Sequence, residues 1–420
     1  MGAGKRIKFL RLQQFLTQEE LAAGLLSVSY LSKIENEQIT PSPDILKSLY
    51  ERLAIEEDSI DETAVIKEIR DWYQDQIDKR KEKVEAGYTD LKNKVKLITI
   101  PEITHLFNLF SIRYHLVTGK LRLAEELISS LSPFQKDLNK EQLLYFYKFK
   151  GSLLYSKGQF EDAYTVLKKA ESLIDSFVSL YEKADIYYSL GLTAGKLHKP
   201  YLATYYASLA LEIFQKIYRL DKSTECHLLL AISFQRMREF SQAEVHYDWA
   251  GKLAQEEKFH SLYGIIEHNR GYFLSLQGHF DKALIHYNNS LHIKENEDNA
   301  PGKIITILAV VTMCYKYKKH SLMKEWLIKA EPLIHSLPQS SASLLHEYQI
   351  FYYFVHENYE KFTNYVSKIA IPYFEKNNLQ ILVITYSEML GNYFKETRKY
   401  KLSSYYFEYA NKILNEGIKI

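Results

Sequence analysis

Four residues near the N-terminus have side chains that can contact the edges of DNA bases. Val28, Ser29, Ser32 and Lys33 lie in the first part of a predicted helix. Val28 can touch only a thymine methyl group, the two serines can donate or accept, and Lys33 favours N7 and O6 of guanine. If this helix enters the major groove, these residues are the predicted base contacts.

Three further residues are predicted to contact DNA phosphates. Gln18 stands at a predicted helix N-terminus, where its side chain and nearby backbone N–H groups can bind an anion. Arg11 and Asn36 are the other two phosphate candidates. Residues 1–60 hold seven basic and nine acidic residues, so one copy should bind DNA weakly. We therefore expect a dimer that binds a two-part operator.

Start signals for helices position these residues. Thr17 and Glu20 form a predicted capping box, and Ser42 followed by Pro43 is a second helix start. Apolar residues at helical spacing predict five short helices in residues 1–60, with a tight turn between the second and third. The alternative is a helical domain that mediates only protein contacts.

Three segments of this region resemble the lambda-repressor-like (XRE) family. The similarity lies in "LTQEELA" (16–22), "SYLSKIENE" (29–37) and "PSPDILKSLYERL" (41–53). The segment from Gln18 to Leu31 is one residue shorter than the common form. Glu37 stands where the family usually has glycine, which leaves open the residue that takes the left-handed turn.

The rest of the chain repeats with a period of about 40 residues. A small or apolar residue recurs at seven spacings of 39 to 41 residues: Ala124, Ala163, Ala203, Ala243, Ala283, Met323, Phe362 and Ser403. Three residues earlier lie Leu121, Phe160, Pro200, Phe240, Phe280, His320, Tyr359 and Tyr400. Seven residues later lie Leu131, Ala170, Ala210, Ala250, Ser290, Ala330, Ile369 and Ala410.

This pattern resembles tetratricopeptide repeats, with longer helices than the usual period of about 34 residues gives. Eight units cover residues 99–420, and the sixth and seventh are degenerate. Such units are expected to stack into a right-handed superhelix with a concave groove. Gly119, Gly158 and Gly278 are predicted turn residues in this array.

The groove is expected to be lined by the first helix of each pair. The polar and aromatic residues at its predicted inward positions are Arg113, Lys148, Tyr155, Gln235, Arg236, His268, Asn269, Tyr272, Asn392 and Lys395. Asn269 is the predicted anchor of a peptide backbone, because an amide can both donate and accept. The alternative for each residue is an ordinary surface or packing role.

Residues 61–98 are predicted to be a helical linker that begins the regulatory domain. Residues 79–96 hold seven basic residues against three acidic ones. This segment is either a solvated helix face or a surface for an acidic protein or DNA.

Composition supports an all-α protein. Only 16 Gly and 9 Pro accompany 34 Tyr and 21 Phe, which disfavours a β-sandwich and disorder. The net charge is +2, and the two cysteines form neither a disulfide framework nor a zinc quartet. Residues 304–313 form an apolar run about half as long as a membrane span. No phosphate-loop or catalytic-triad motif is present in the sequence. We expect a cytoplasmic protein that does not associate with a membrane and holds no metal or cofactor.

An XRE domain joined to a long tetratricopeptide array resembles the peptide-pheromone receptors of Gram-positive bacteria, the Rap–Rgg–NprR–PlcR–PrgX (RRNPP) group. The resemblance covers essentially the whole chain. It implies a quorum-sensing transcriptional activator whose DNA binding is switched by a short re-imported peptide in the groove. It also implies a homo-oligomer, dimer or tetramer, and a second role without peptide as a binder of a sporulation phosphorelay response regulator.

Two alternatives come from other classes. The Rap phosphatases of this group use a glutamine, but Pro101 or Glu102 stands near its position here, so we expect binding without catalysis. The other alternative is a repeat scaffold with a vestigial DNA-binding domain.

Overall fold

A computed structural model describes residues 3–53, 62–96, 98, 100–176, 178–295, 299–338 and 341–417. Every regular element among these residues is helical. The chain divides into two compact units, Met1–Tyr218 and Arg219–Ile420. The all-α prediction, a helix-turn-helix domain followed by tetratricopeptide-type helix pairs, is confirmed.

The first unit begins with four short helices around a small apolar core. They are α1 (Ala3–Gln13), α2 (Gln18–Ala22), α3 (Val28–Glu35) and α4 (Pro43–Arg52). Thr17 accepts from the backbone N–H of Glu20 in the predicted capping box, and Ser42 caps α4 with Pro43 in its first turn. Four of the five helices predicted for residues 1–60 are thus seen, and residues 54–61 lie outside the described residues.

Glu37 itself takes the left-handed turn that closes α3. Its φ is 58°, in the region that favours glycine. The family's usual glycine is therefore replaced here by a residue that adopts the same backbone conformation at some cost in free energy.

The rest of the first unit contains two leading helices and three helix pairs. Its elements are α5 (Glu62–Ile77), α6 (Lys81–Lys96), α7 (Pro101–Val117), α8 (Leu121–Leu131), a 3-10 turn (Ser132–Phe134), α9 (Lys140–Ser156), α10 (Phe160–Glu171), α11 (Leu180–Lys196) and α12 (Pro200–Lys216). Trp72 of α5 and Leu91 of α6 are buried in one apolar core with α7, so α5 and α6 form part of this unit's interior.

The second unit contains five helix pairs. Its elements are α13 (Leu220–Arg236), α14 (Phe240–Glu256), α15 (His260–Leu276), α16 (Phe280–Lys294), α17 (Ala300–Lys316), α18 (His320–Ile334), α19 (Ala342–Val355), α20 (Tyr359–Tyr365), a π-turn (Val366–Ala370), α21 (Ile371–Lys376), α22 (Gln380–Glu396) and α23 (Tyr400–Gly417). Each pair buries small residues between its two helices, as the repeat pattern predicts.

The predicted repeat positions match the observed helices closely. The second helix of each of the eight pairs begins at the residue predicted to lie three before the recurring small or apolar residue. All eight recurring residues, from Ala124 to Ser403, are buried. These residues therefore pack the cores and carry no ligand.

The seventh pair departs from the pattern by one residue. The predicted Ile369 is 48% exposed, and Ala370 takes the buried position instead. The π-turn inserts one extra residue into the second helix and ends two residues before Pro372, which has no N–H to donate to the preceding turn. The same insertion fits the spacing of 41 residues from Phe362 to Ser403.

Candidate nucleic-acid interface and ligand groove

The predicted base-reading residues lie on the outer side of α3. Ser27 caps this helix, and Leu31 and Ile34 point into the domain core. Val28 is 42% exposed although it is apolar, and Ser29 and Lys33 are exposed beside it. Ser32 is half-buried. This face can therefore approach DNA without any rearrangement of the domain.

Arg11 does not fit the predicted phosphate role. Its side chain is buried, and its Nε and Nη2 donate to the Glu35 carboxylate at 2.6 and 2.9 Å. Its Nη1 donates to the carbonyl of Leu16 at 2.8 Å. The guanidinium is thus committed to joining α1 to α3, which is a structural role.

Gln18 and Asn36 lie at opposite ends of the α2–α3 region. The Nε2 of Gln18 donates to Glu35 Oε2 at 2.6 Å, so this amide helps to fix the same carboxylate. Asn36 follows α3, is exposed, and its Nδ2 lies 3.5 Å from Ser32 Oγ. Asn36 therefore keeps an accessible amide at the edge of the α3 face.

Two of the predicted groove residues are buried instead. Lys148 is enclosed in the first unit, with its Nζ 2.6 Å from both Glu182 Oε2 and Asp185 Oδ2. Gln235 is buried in the second unit and accepts from the hydroxyl of Tyr247 at 2.9 Å. Both predictions of ligand contact are therefore corrected, because the neighbouring helices satisfy these polar groups.

Three other predicted groove residues are partly buried against neighbouring side chains. The Arg113 guanidinium lies 5.7 Å from the centre of the Tyr73 ring, and Tyr155 packs edge-on against Phe160 at 5.4 Å. The Nδ1 of His268 lies 3.1 Å from Thr306 Oγ1.

Burial and, to a smaller extent, the charge of Lys294 together lower the pKa of His268 to about 4. The imidazole is therefore neutral at physiological pH and links α15 to α17.

The remaining predicted groove residues are accessible in the second unit. Arg236, Tyr272, Asn392 and Lys395 are exposed on first helices, and Asn269 is half-buried. The Nδ2 of Asn269 donates to the carbonyl of Ile265 at 2.8 Å. Its carbonyl oxygen and its second N–H are left for a peptide, so the predicted anchor has one donor fewer than an amide without this bond.

A cavity of about 850 Å³ opens beside Asn392 and Lys395. The first helices α17, α19 and α22 supply most of its lining: Thr312, Tyr315, Lys316, Lys318, His320, Phe351, Phe354, Thr385, Tyr386, Glu388, Met389, Asn392, Lys395, Glu396 and Tyr400. Aromatic rings, lysines and glutamates all contribute to these walls. The cavity can therefore hold an extended chain that carries both apolar and charged groups.

Sequence reasoning missed Tyr315 and Lys316. Tyr315 lies eight residues before the recurring Met323, and Lys395 lies eight residues before the recurring Ser403. The repeat register therefore indicates Tyr315 as the counterpart of Lys395, but the sixth unit is degenerate and its residues stand out less.

A carboxyl group with an unusual pKa lies behind the cavity wall. The hydroxyl of Tyr386, a lining residue, donates to Glu347 Oε2 at 2.8 Å. Burial raises the pKa of Glu347 to about 7, although this hydrogen bond opposes the shift. Glu347 therefore titrates close to neutral pH.

The described residues contain no cluster of three or more His, Cys, Asp or Glu side chains placed to hold a metal ion. Both Cys226 and Cys314 are buried thiols. Among the same residues, no helix is long and apolar enough to cross a membrane.

A helix-turn-helix family model matches residues 7–60. Transcriptional activator NprA of Geobacillus stearothermophilus is 32% identical over 415 residues, which cover 95% of this chain and 100% of the relative. That relative is named as an activator rather than an enzyme, in line with the expectation of a protein without catalysis.

Two solved structures share the fold. The apo form of the quorum sensor NprR from B. thuringiensis has a TM-score of 0.69 at 19% identity, covering 84% of this chain and 99% of that chain. NprR in complex with its cognate peptide NprX has a TM-score of 0.65 at 21% identity, covering 85% and 100%. These structures share the fold, and the 32% identity to NprA over 95% of this chain shows that the protein belongs to the RRNPP family of regulators, near NprA and NprR.

Proposed function

We propose that the protein is a cytoplasmic transcriptional activator whose affinity for a two-part operator is switched by a short signalling peptide. The observation that carries this proposal is the pairing of an exposed α3 face with an accessible cavity beside Asn392 and Lys395. One surface suits base edges, and the other suits an extended peptide.

The DNA part of the proposal rests on the accessible side chains of α3. Ser29 and Lys33 are one helical turn apart and project from the same side of the helix. With nine acidic residues in residues 1–60, a single domain has little net attraction for phosphates. Two domains held in a homo-oligomer would add their contacts through a high effective concentration.

The peptide part rests on the polar and aromatic lining of the cavity in the second unit. NprR has been solved with its cognate peptide NprX, and its fold covers most of this chain. Asn392 offers a free side-chain amide to a peptide backbone, while Lys395 and Lys316 offer cations to acidic groups or to a terminal carboxylate.

The test combines DNA selection with peptide titration. Random DNA is first enriched on the whole protein, and fluorescence anisotropy then measures affinity for the enriched site with and without a library of short peptides. The proposal predicts that one peptide class changes the DNA affinity and the oligomeric mass together. Selective DNA binding that no peptide alters would contradict the switch, and the absence of any enriched site would favour a scaffold.

Binding of a sporulation phosphorelay response regulator in the absence of peptide remains a prediction from the family. Co-sedimentation of the peptide-free protein with such a regulator tests it directly.

A further inference from the structure

Phe9 is buried with the apolar core of the helix-turn-helix domain and also contacts residues outside that domain. It follows Ile7 by two positions, which is roughly 200° around an α-helix, and Ile7 faces the domain core. In the whole chain Phe9 is only 3% exposed.

Part of the cover of Phe9 comes from the first helix pair and the 3-10 turn that follows it. Its ring packs edge-on against His105 of α7 at 5.3 Å and against Phe134 of the 3-10 turn at 5.8 Å. His105 and Phe134 also contact each other at 5.1 Å. The rings of Phe9, His105 and Phe134 thus pack against one another and join α1, α7 and the 3-10 turn. Phe134 also contacts the core of the helix-turn-helix domain.

An ion pair lies beside these rings. Lys8 Nζ is 3.2 Å from Asp137 Oδ2, and both side chains are about three quarters buried. Lys8 precedes Phe9 on α1, and Asp137 follows Phe134 after the 3-10 turn. The charge contact and the aromatic contact therefore join the same two segments.

We propose that Lys8, Phe9, His105, Phe134 and Asp137 form a joint that fixes the orientation of the DNA-binding domain on the first helix pair. The joint uses α1 and leaves Val28, Ser29 and Lys33 exposed. It therefore holds the domain in place while the base-reading face of α3 stays open, and it does not mask that face.

A fixed orientation has a consequence for a two-part operator. Two domains can bind both half-sites together only if their spacing and direction match the DNA. A domain that swings freely loses this advantage but keeps its own contacts. This consequence rests on the proposed DNA-binding function, whereas the joint itself does not.

The joint is tested by time-resolved fluorescence anisotropy on the full chain. A dye at Lys47→Cys reports the DNA-binding domain, and a dye at Lys83→Cys reports α6. Both positions are exposed, whereas the two native cysteines are buried, so labelling is selective. In the parent the two dyes are expected to tumble together.

Three variants then alter the joint from either side. Phe134→Ala should raise the freely moving fraction of the Lys47→Cys dye at least about tenfold, because it removes two aromatic contacts and buried area. Asp137→Lys should raise it about two- to fivefold, the range of a partly exposed ion pair. The charge-swapped Lys8→Asp/Asp137→Lys protein should restore the parent signal.

Matched controls are Phe160→Ala and Asp175→Lys, which alter an aromatic contact and an ion pair of the repeats away from α1. They should leave the Lys47→Cys dye unchanged. Equal mobility in all variants, or no rescue by the charge swap, would overturn the joint.

DNA binding separates the joint from the proposed function. If both the joint and the proposed DNA-binding function are correct, Phe134→Ala weakens binding to a two-part site more than binding to a single half-site. A mobile domain in Phe134→Ala without any selective DNA binding in the parent would leave the joint standing and remove the regulator.

Discussion

Lys148 shows how a buried cation organises the first unit. Its ammonium contacts the carboxylates of Glu182 and Asp185, and the Tyr73 hydroxyl donates to Glu182 Oε1 at 2.7 Å. Burial works to lower the pKa of Lys148, but the two carboxylates outweigh it and raise that pKa. The charge is therefore retained, and it compensates two acids that burial would otherwise penalise.

Removal of this cation should destabilise the protein strongly. Lys148→Met removes the ammonium that contacts both buried carboxylates, and we expect a loss of about 3–5 kcal/mol in the free energy of unfolding. Urea unfolding followed by circular dichroism measures the change. Lys157→Met is the matched control, since it breaks a more exposed pair with Glu125 and should cost less than about 1 kcal/mol. Equal losses in the two variants would contradict the buried-cluster argument.

The α3 face should carry sequence preference without carrying stability. Ser29 and Lys33 are exposed and lie outside the domain core. We expect the Ser29→Ala/Lys33→Ala variant to lose about 1–3 kcal/mol of base discrimination for each lost hydrogen bond to a base edge. Its thermal unfolding should be unchanged. Competition between the selected operator and single-base variants measures this effect. Lys47→Ala removes an equal charge from α4 and should leave the preference intact; an unchanged preference in the double variant would disprove the assignment of α3.

Asn392 should contribute to peptide affinity more than an ordinary exposed amide. Asn392→Ala removes one or two net hydrogen bonds to a peptide, about 1–3 kcal/mol, or roughly ten- to a hundredfold in affinity. Calorimetry with the peptide identified by screening measures it. Asn377→Ala is the control, because Asn377 is an exposed amide whose Nδ2 donates to the carbonyl of Tyr373 and which does not line the cavity. An unchanged peptide affinity in Asn392→Ala would contradict this role and leave Asn269 as the predicted peptide anchor.

Residue types predicted the α3 face but not the partners of the buried polar groups. The exposure of Val28, Ser29 and Lys33 follows from one helix register, which the apolar residues Leu31 and Ile34 determine. Arg11 and Lys148 depend on carboxylates 24 and 34 or more residues away in the sequence. No local pattern indicates such pairings, so the sequence alone predicts a phosphate contact for Arg11 and a peptide contact for Lys148.

At the scale of elements, the repeat depends on a left-handed residue before every second helix. This residue lies two positions before the helix start in all eight pairs: Gly119, Gly158, His198, Arg238, Gly278, Lys318, Glu357 and Arg398. A side chain at such a position crowds the backbone, and glycine does not. Five of the eight turns thus retain strain that the other three avoid.

Arg398→Gly should therefore stabilise the last pair. A side chain at the left-handed φ of 60° at Arg398 costs about 1–2 kcal/mol, and the greater freedom of glycine in the unfolded chain costs about 0.5–1 kcal/mol, so we expect a net gain of about 0.5–1 kcal/mol. Chemical unfolding of the full chain measures the gain. Arg398→Ala removes the same side chain without relieving the backbone and should give no such gain. If Ala and Gly stabilise equally, the side chain rather than φ is responsible.

The element boundaries were predictable because each recurring small residue is held between two helices at a constant register. The three glycine turns were predictable for the same reason, since Gly119, Gly158 and Gly278 have the residue type that the turn requires. The π-turn was not predictable from the small-residue pattern. That pattern identifies Ile369, and only the helical path through residues 366–370 shows that Ala370 is buried in its place.

At the scale of the whole molecule, the repeats should be independent of the helix-turn-helix domain for folding. Neighbouring helix pairs contribute most of the buried apolar area, and repeat stability is a sum of local and nearest-neighbour terms. Residues 60–420 should therefore fold alone and bind peptide with the affinity of the full chain. Calorimetry on this fragment measures binding, and a folded fragment without binding would place the peptide site outside the repeats.

The pKa of His105 should differ between this fragment and the full chain, because the fragment lacks Phe9, which packs against the His105 ring. In the full chain, burial lowers the pKa of His105 to about 4, and Asp137 raises it only partly. Without Phe9 the imidazole gains water, and its pKa should rise toward the ordinary value of about 6.5. The pKa of His105 is lower when the joint is formed than when it is open. The joint is therefore most stable above about pH 6.5 and weakens as the pH falls toward 4. Titration of the His105 ring by NMR in the two proteins measures the difference; equal pKa values in both would mean that α1 does not exclude water from His105.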